Sequence, residues 1–342
     1  MIGALLSPSY DASVASPVTS PTALIPVAST NSNPLAGGPW GVYTNKYDDV
    51  YGPYLKATGT DKALLAKIAL RPRVRWFGEW TPTSDIASKI RSYVSVSQHG
   101  NPDTLVQFAT FRLWPNGGEA GRNRPMSAAQ LNDYKAWYRA VAGAIGTARV
   151  AVVLEPDLAM ARKGWQPSTR FALTKYAAYV LSRQPRTSVY IDASDADWLK
   201  VPDAVAMLKA SGITYARGFA LGATHYWAVS SETTYARSVI ASLNAAHITN
   251  KHAVIDTADN GKPFTWGQYW KEHPKGDFDN AETCRSTTDT TCDTLGHPPT
   301  WLTTDPAHVD GYLWFGRPWL YRQASPFTLS RALQVAKTTP FH

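Results

Sequence analysis

Residues 150–159 read VAVVLEPDLA: five apolar, mostly β-branched residues run into two acids separated by a proline. Val150–Leu154 has the composition of a parallel strand covered on both faces. Pro156 has no N–H to give to a ladder, so the strand ends there. Glu155 and Asp157 then stand at the carboxyl end of a buried strand, where α/β proteins place their chemistry. The competing reading is a loop acid that makes only an ion pair or a helix cap.

Outward from this stretch the same signature recurs. Val74–Phe77, Thr104–Phe111, Ser188–Ile191, Tyr215–Leu221, Ala253–Ile255 and Gly311–Phe315 are apolar runs of strand length. Helical spacing falls between them, at Asp61–Leu70, Pro82–Val94, Phe171–Leu181, Val201–Ala210, Ser231–Ala245 and Pro326–Val335. Ser127 and Gln130 form a capping box for a further helix whose apolar face is Leu131, Tyr134, Tyr138, Val141 and Ile145. Strands alternating with helices imply parallel βα units. Seven of them suggest an α/β fold, a distorted seven-stranded parallel (β/α) barrel similar to a TIM barrel. An open doubly wound sheet is the alternative, but no Gly-rich phosphate loop follows the first strand. One barrel domain is expected over 36–342. The segment 1–35, apolar at its start and then rich in Ser, Pro, Thr and Ala, reads as an export-signal remnant or linker.

The 44% hydrophobic content permits a sizeable core, and aromatics are plentiful, with 13 Trp and 17 Tyr. Many of these Trp sit at strand ends, where flat rings suit the flat apolar faces of sugars; filling the core and its rim is the alternative use. The net charge of +8 is spread along the chain, and no nucleic-acid motif accompanies the small cluster Arg71, Arg73 and Arg75. No run is long enough to cross a bilayer. Cys284 and Cys292 stand in a polar stretch without a metal-ligand pattern, and a small surface disulfide in a secreted protein is expected. No cofactor or metal is implied, and a monomer is expected.

Asp157, Asp192, Asp256 and Glu79 each follow an apolar strand, and in a parallel barrel these ends gather at one face. Several carboxylates, many Trp and no cofactor motif suit glycoside hydrolysis, which needs an acid and a base flanking the scissile bond. Metal binding by these acids competes, but the spacings give no compact ligand loop.

Leu154-Glu155-Pro156-Asp157, Tyr190-Ile191-Asp192-Ala193, Gly218-Phe219-Ala220-Leu221 and Ile255-Asp256-Thr257 with Asn260-Gly261 occur in an order that resembles glycoside hydrolase family 6. Gly38-Pro39-Trp40, Trp76-Phe77-Gly78-Glu79-Trp80 and Gly311-Tyr312-Leu313-Trp314 match it more weakly. The resemblance implies an inverting cellulase or cellobiohydrolase with a distorted seven-stranded barrel, acting on a polysaccharide. It makes Asp157 the proton donor, Asp192 an acid of the substrate cleft, and Asp256 the acid opening the family's Asp-x-x-Arg-Asn-Gly loop. Trp40 and Trp270 align with its sugar-stacking tryptophans. Trp76, Glu79, Trp80, Trp114, His225 and Arg317 complete the binding candidates by position. By position alone, Asp256 is the candidate to assist water.

The departures from the family matter as much. The Asp that supports the donor after the second strand is Leu113 here, and the Arg of the sixth-strand loop is Asp259. An Asn after the fifth strand is His225. The Lys-x-Pro-Gly-Glu-x-Asp segment after the last strand reads Gly316-Arg317-Pro318-Trp319-Leu320-Tyr321-Arg322, without either acid. In place of the lost neighbour, either desolvation of Asp157 or another acid reaching in is expected to hold its proton, with Glu79, Asp192 and Glu119 as the candidates. Three functions follow: a β-1,4-glucan hydrolase, a same-mechanism hydrolase of another polysaccharide, or a carbohydrate-binding protein on the same scaffold.

Overall fold

Seven strands form one sheet in chain order, every neighbour parallel: β1 Arg75–Gly78, β2 Val106–Phe111, β3 Val150–Leu154, β4 Thr187–Asp192, β5 Gly218–Leu221, β6 His252–Asp256 and β7 Val309–Leu313. The computed structural model describes residues 32–114, 118–324 and 326–341. Residues 1–31, most of the expected linker, and the side chain of Glu119 lie outside the described residues.

Helices α1 (Tyr51–Lys56) and α2 (Gly59–Ala69) precede β1, and α3 (Thr83–Gln98) follows it. α4 (Ala128–Ile145), α5 (Pro167–Ser182), α6 (Val201–Ala210), α7 (Val229–Ala245) and α8 (Trp266–Glu272) follow β2 to β6 in turn. α9 (Leu329–Thr338) comes after β7. The expected capping box opens α4: Ser127 accepts from the Gln130 amide while Gln130 reaches back. A second box, Thr265 with Gln268, opens α8 inside a stretch that reads as irregular in sequence.

The sheet curls until the Val74 amide, just before β1, donates to the Trp314 carbonyl just after β7 at 2.8 Å. The Trp76 indole N–H bonds the Phe315 carbonyl at 2.7 Å across the same seam. Among the described residues no ladder joins β1 to β7, so the barrel is distorted at this seam. Every residue of β2 and β3 is buried, as continuous apolar strands covered on both faces require. β5 is shorter than expected because residues 212–216 close turns on themselves: Tyr215 N bonds Gly212 O, and Ala216 N bonds Ile213 O. Gly218 then has to be glycine, since a Cβ there would sit 1.6 Å from the His252 carbonyl oxygen of β6. β7 ends before Phe315 because the Phe315 and Gly316 amides are given to the Asp256 carboxylate.

Cys284 and Cys292 are bonded, but both are buried rather than on the surface. The Cys284 carbonyl accepts from Gln334 Nε2 at 2.6 Å, which ties this loop to α9.

Candidate active site

The carboxyl end of β3 is held in an unusual conformation. Glu155 (φ 53°) and Asp157 (φ 65°) both adopt left-handed backbone on either side of Pro156. Such conformations persist only where the surroundings over-determine them. Here Glu155 does so. It is fully buried, and Oε2 accepts from the Arg112 and Leu113 amides at 3.0 Å each. Oε1 accepts the hydroxyls of Tyr134 (2.8 Å) and Tyr138 (2.6 Å). Burial pushes the Glu155 carboxyl up, and these four donors pull against it. The first acid of the pair is therefore an anchor, and the second is left to face outward.

Half-buried Asp157 lines a cleft of about 1060 Å³. Tryptophans 76, 80, 198, 227, 266 and 319 line the same cleft. Its charged lining is mixed: Asp195, Asp197, Asp277 and Asp279 stand with Arg317 and Arg322, and Asp48 and Asp49 with Arg73 and Arg75. Arg73 is bound to Asp48 at 2.8 Å, and Arg322 to Asp277 at 2.8 Å. Arg317 lies 4.3 Å over the Trp76 ring; burial lowers its pKa to about 10 against the pull of Asp259, Asp49 and Asp157.

From the end of β4 and the loop after it come Asp192, Asp195 and Asp197. Asp192 is buried, and its pKa is held well above the usual range by burial, then by the charges of Asp157 and Asp195. From the turn after β5 comes His225, whose Nδ1 is paired with Asp195.

The structure brings Asp157, Trp76, Trp80, His225 and Arg317 to the cleft, and puts Asp192 just behind it in a small adjoining cavity. Other expected site residues lie elsewhere. Asp256 is 2% exposed and does not line the cleft. Its two oxygens accept from four backbone amides, those of Thr224, Ala258, Phe315 and Gly316, so it ties the turns after β5, β6 and β7 together. The structure thus engages both of its oxygens with backbone. Trp40 packs at the amino end of the sheet, bridging Leu105 and donating its indole N–H to the Leu35 carbonyl at 2.8 Å. Trp114 is fully buried with the Arg170 guanidinium 4.7 Å from its ring. Trp270 packs half-buried behind Trp266, which takes the place at the cleft. Glu79 is half-buried beside the cleft, and its carbonyl accepts from Arg112 at 3.1 Å.

Sequence reasoning passed over Asp195, Trp198 and Trp266 as site residues. Asp195 and Trp198 follow Asp192 at three and six residues, so the loop after β4 carried the signal. Trp266 was hidden by reading 262–309 as irregular. Among the described residues no group of three or more His, Cys, Asp or Glu is placed to hold a metal ion.

The pattern of glycosyl hydrolases family 6 matches residues 42–318. The chain belongs to this family. An endoglucanase A of Cellulomonas fimi is 33% identical to the chain over 224 residues, 65% of this chain and 47% of that protein. An endoglucanase 1 of Streptomyces halstedii is 29% identical over 59% of this chain and 63% of that protein. The chain thus spans about half to two-thirds of these relatives' length. Among solved structures, the endoglucanase of Mycobacterium tuberculosis in complex with methyl-cellobiosyl-4-deoxy-4-thio-β-D-cellobioside superposes with a TM-score of 0.73 at 27% identity. That match covers 90% of this chain and 99% of that one. A Humicola insolens endoglucanase shares the fold at TM-score 0.67 and 16% identity, over 91% of this chain and 99% of that one. The distorted parallel barrel of this family 6 member is therefore the expected one.

Proposed function

We propose that the protein is a secreted, cellulase-type glycoside hydrolase that cleaves β-1,4-glucan chains with inversion, Asp157 protonating the leaving glycosidic oxygen. The observation that carries this reading is Asp157 itself, half-buried at the end of β3 in a cleft of about 1060 Å³ walled with indoles. That volume reaches the upper end of small-molecule pockets and suits several sugar rings in a row. Trp80 (56% exposed) and Trp266 (53% exposed) offer open faces on which such rings stack. Its similarity to endoglucanases supports the choice of glucan. A disulfide between Cys284 and Cys292 supports an oxidising, extracellular setting. No helix of the described residues is long and apolar enough to cross a membrane.

The test is reducing-sugar release from a panel of β-1,4-glucans and other polysaccharides, with NMR of the first product. Inversion of a β-linked glucan gives the α-anomer at once. The β-anomer as first product overturns inversion, and no release from any polysaccharide leaves only a binding role.

A further inference from the structure

Beside the cleft lies a second cavity of about 10 Å³, lined by Asp157, Asp192, Ser194, Asp195 and His225, with Trp198 and Ala223. That is room for about one water, and a polar lining with two to four partners is what a buried water needs. Two lining residues supply atoms that are buried without a protein partner: Asp192 Oδ1 and Ser194 Oγ. The three turns that build the cavity each carry left-handed backbone, at Asp157 (φ 65°), Ser194 (φ 70°) and Thr224 (φ 59°). Strain of this kind gathers where geometry is held for a purpose. Asp157, Asp195, Trp198 and His225 line both the cavity and the cleft, so the cavity sits directly behind the donor.

His225 is bonded to Asp195 and faces acids on every side. Asp157 approaches from β3, Asp192 and Asp197 from β4 and its loop, Glu232 from α7 and Asp279 from the turn at 278–280. Asp157 faces Arg317 as well. Burial opposes the imidazolium, but Asp195 and then Asp157 outweigh it and raise its pKa to about 10. The imidazole is thus held in its cationic form against Asp195 at neutral pH.

We infer that the Asp195–His225 ion pair is a positioning unit for the proton of Asp157. With one water in the small cavity it links Asp157 to Asp192, and its place behind the donor decides when Asp157 gives up its proton. The inference rests on the proposed role of Asp157 as general acid. The pair is not the water-activating base, because it shares a cavity with the donor, and the base of an inverting enzyme works across the sugar ring. It stands behind the donor on the turns after β4 and β5, whereas Leu113, after β2, offers no acid there.

The sign follows from charge. His225→Asn leaves Asp195 unneutralised beside Asp157, so Asp157 keeps its proton to higher pH. The double variant Asp195→Asn/His225→Asn is neutral again and removes that effect. The first experiment is the pH profile of kcat/KM on a soluble β-glucan. His225→Asn should move the basic limb up by about one unit, and the double variant should bring it back to the wild-type position. A merely structural pair would give no such rescue. An unmoved limb in His225→Asn, or a double variant that stays with the single one, overturns the inference.

The second experiment needs no activity. In Asp195→Asn the imidazole should titrate near its ordinary value of about 6.5, where NMR follows it easily. Adding Asp157→Asn should lower that titration by about half a unit or more, because a neighbouring anion is lost. No change refutes the coupling whatever the activity. A clear drop in a protein that hydrolyses no glucan keeps the coupling and refutes the hydrolase reading alone.

Discussion

Asp256→Asn distinguishes an anchoring acid from a base. Oδ1 of Asp256 accepts from Ala258 (3.0 Å) and Phe315 (3.3 Å), and Oδ2 from Thr224 (3.1 Å) and Gly316 (2.5 Å). All four donors are backbone amides, which cannot turn round to accept. Asparagine keeps one acceptor oxygen and aims an N–H₂ group at the other two amides. Two buried N–H groups then lose their partner at about 1–3 kcal/mol each. The expected loss is ~2–6 kcal/mol, a large part of the 5–15 kcal/mol typical of a folded protein. It should depend on pH. Burial raises the Asp256 pKa to about 7, against the pull of the amides of Ala258, Thr224, Gly316 and Phe315. A folded pKa above the unfolded value near 3.9 gives stability that is complete below about pH 4 and is lost as pH rises towards 7. Asparagine has no such slope, so the gap between wild type and variant should narrow over that range, by at most about 1.4 kcal/mol per unit. Urea unfolding at pH 4.5, 6 and 7.5 reads the stability, and kcat is measured where the variant is fully folded. An anchor leaves kcat within about tenfold of wild type, whereas losing a general base costs about 10²–10⁴. An unchanged unfolding midpoint, or a hundredfold loss of kcat in fully folded protein, refutes the reasoning.

Asp157→Asn should lower kcat by at least about a hundredfold with little change in the unfolding midpoint, since the side chain faces the cleft; steady-state kinetics beside thermal unfolding checks both. Trp80→Ala and Trp266→Ala should weaken oligosaccharide binding several-fold by calorimetry without lowering Tm, because both rings are more than half exposed. Trp114→Ala should do the reverse, costing about 3–5 kcal/mol as a fully buried ring. Gly316→Ala should destabilise the fold by roughly 1–3 kcal/mol, because its Cβ would sit 1.7 Å from Asp259 Oδ2 and 2.9 Å from Asp256 Oδ2; a variant as stable as wild type in urea would show that the two acids move apart freely.

Strands were legible where burial on both faces left an unbroken apolar run. β3 begins and ends where its sequence says, at Val150 and Leu154. Boundaries slipped where a strand end is decided by partners distant in sequence. Asp256 takes the Phe315 amide from 59 residues away, and no local pattern announces that. The location of the acids after strands was legible for the same reason as the strands themselves. Which acid faces outward was not. Glu155 and Asp157 differ by two positions, and only the four donors gathered on Glu155 from β2 and α4 show which is the anchor. Aromatics were the least legible group, since an indole on a cleft wall and one in a core share composition and neighbours; Trp266 and Trp270 lie one helical turn apart and only the first lines the cleft.

β3 has two neighbours, and the position of each decides what can reach Asp157. In register, Leu154 pairs with Thr110 of β2 on one side and Ile191 of β4 on the other. The next residues, Phe111 and Asp192, therefore flank Glu155, and the two loops beyond them flank Asp157. On the β2 side the loop turns inward: Leu113 is fully buried, its amide donating to Glu155 and its carbonyl accepting from Arg170. An acid at that position would lie in the core beside the Glu155 carboxyl, where a second charge is costly. On the β4 side the loop carries Asp192, Asp195 and Asp197 past the donor, with His225 set against them. The small cavity beside Asp157 is accordingly lined by Asp192 and Asp195 from β4 and its loop and by His225 from the turn after β5, and, among the described residues, by none of β2 or its loop, which is the arrangement the inferred positioning unit requires.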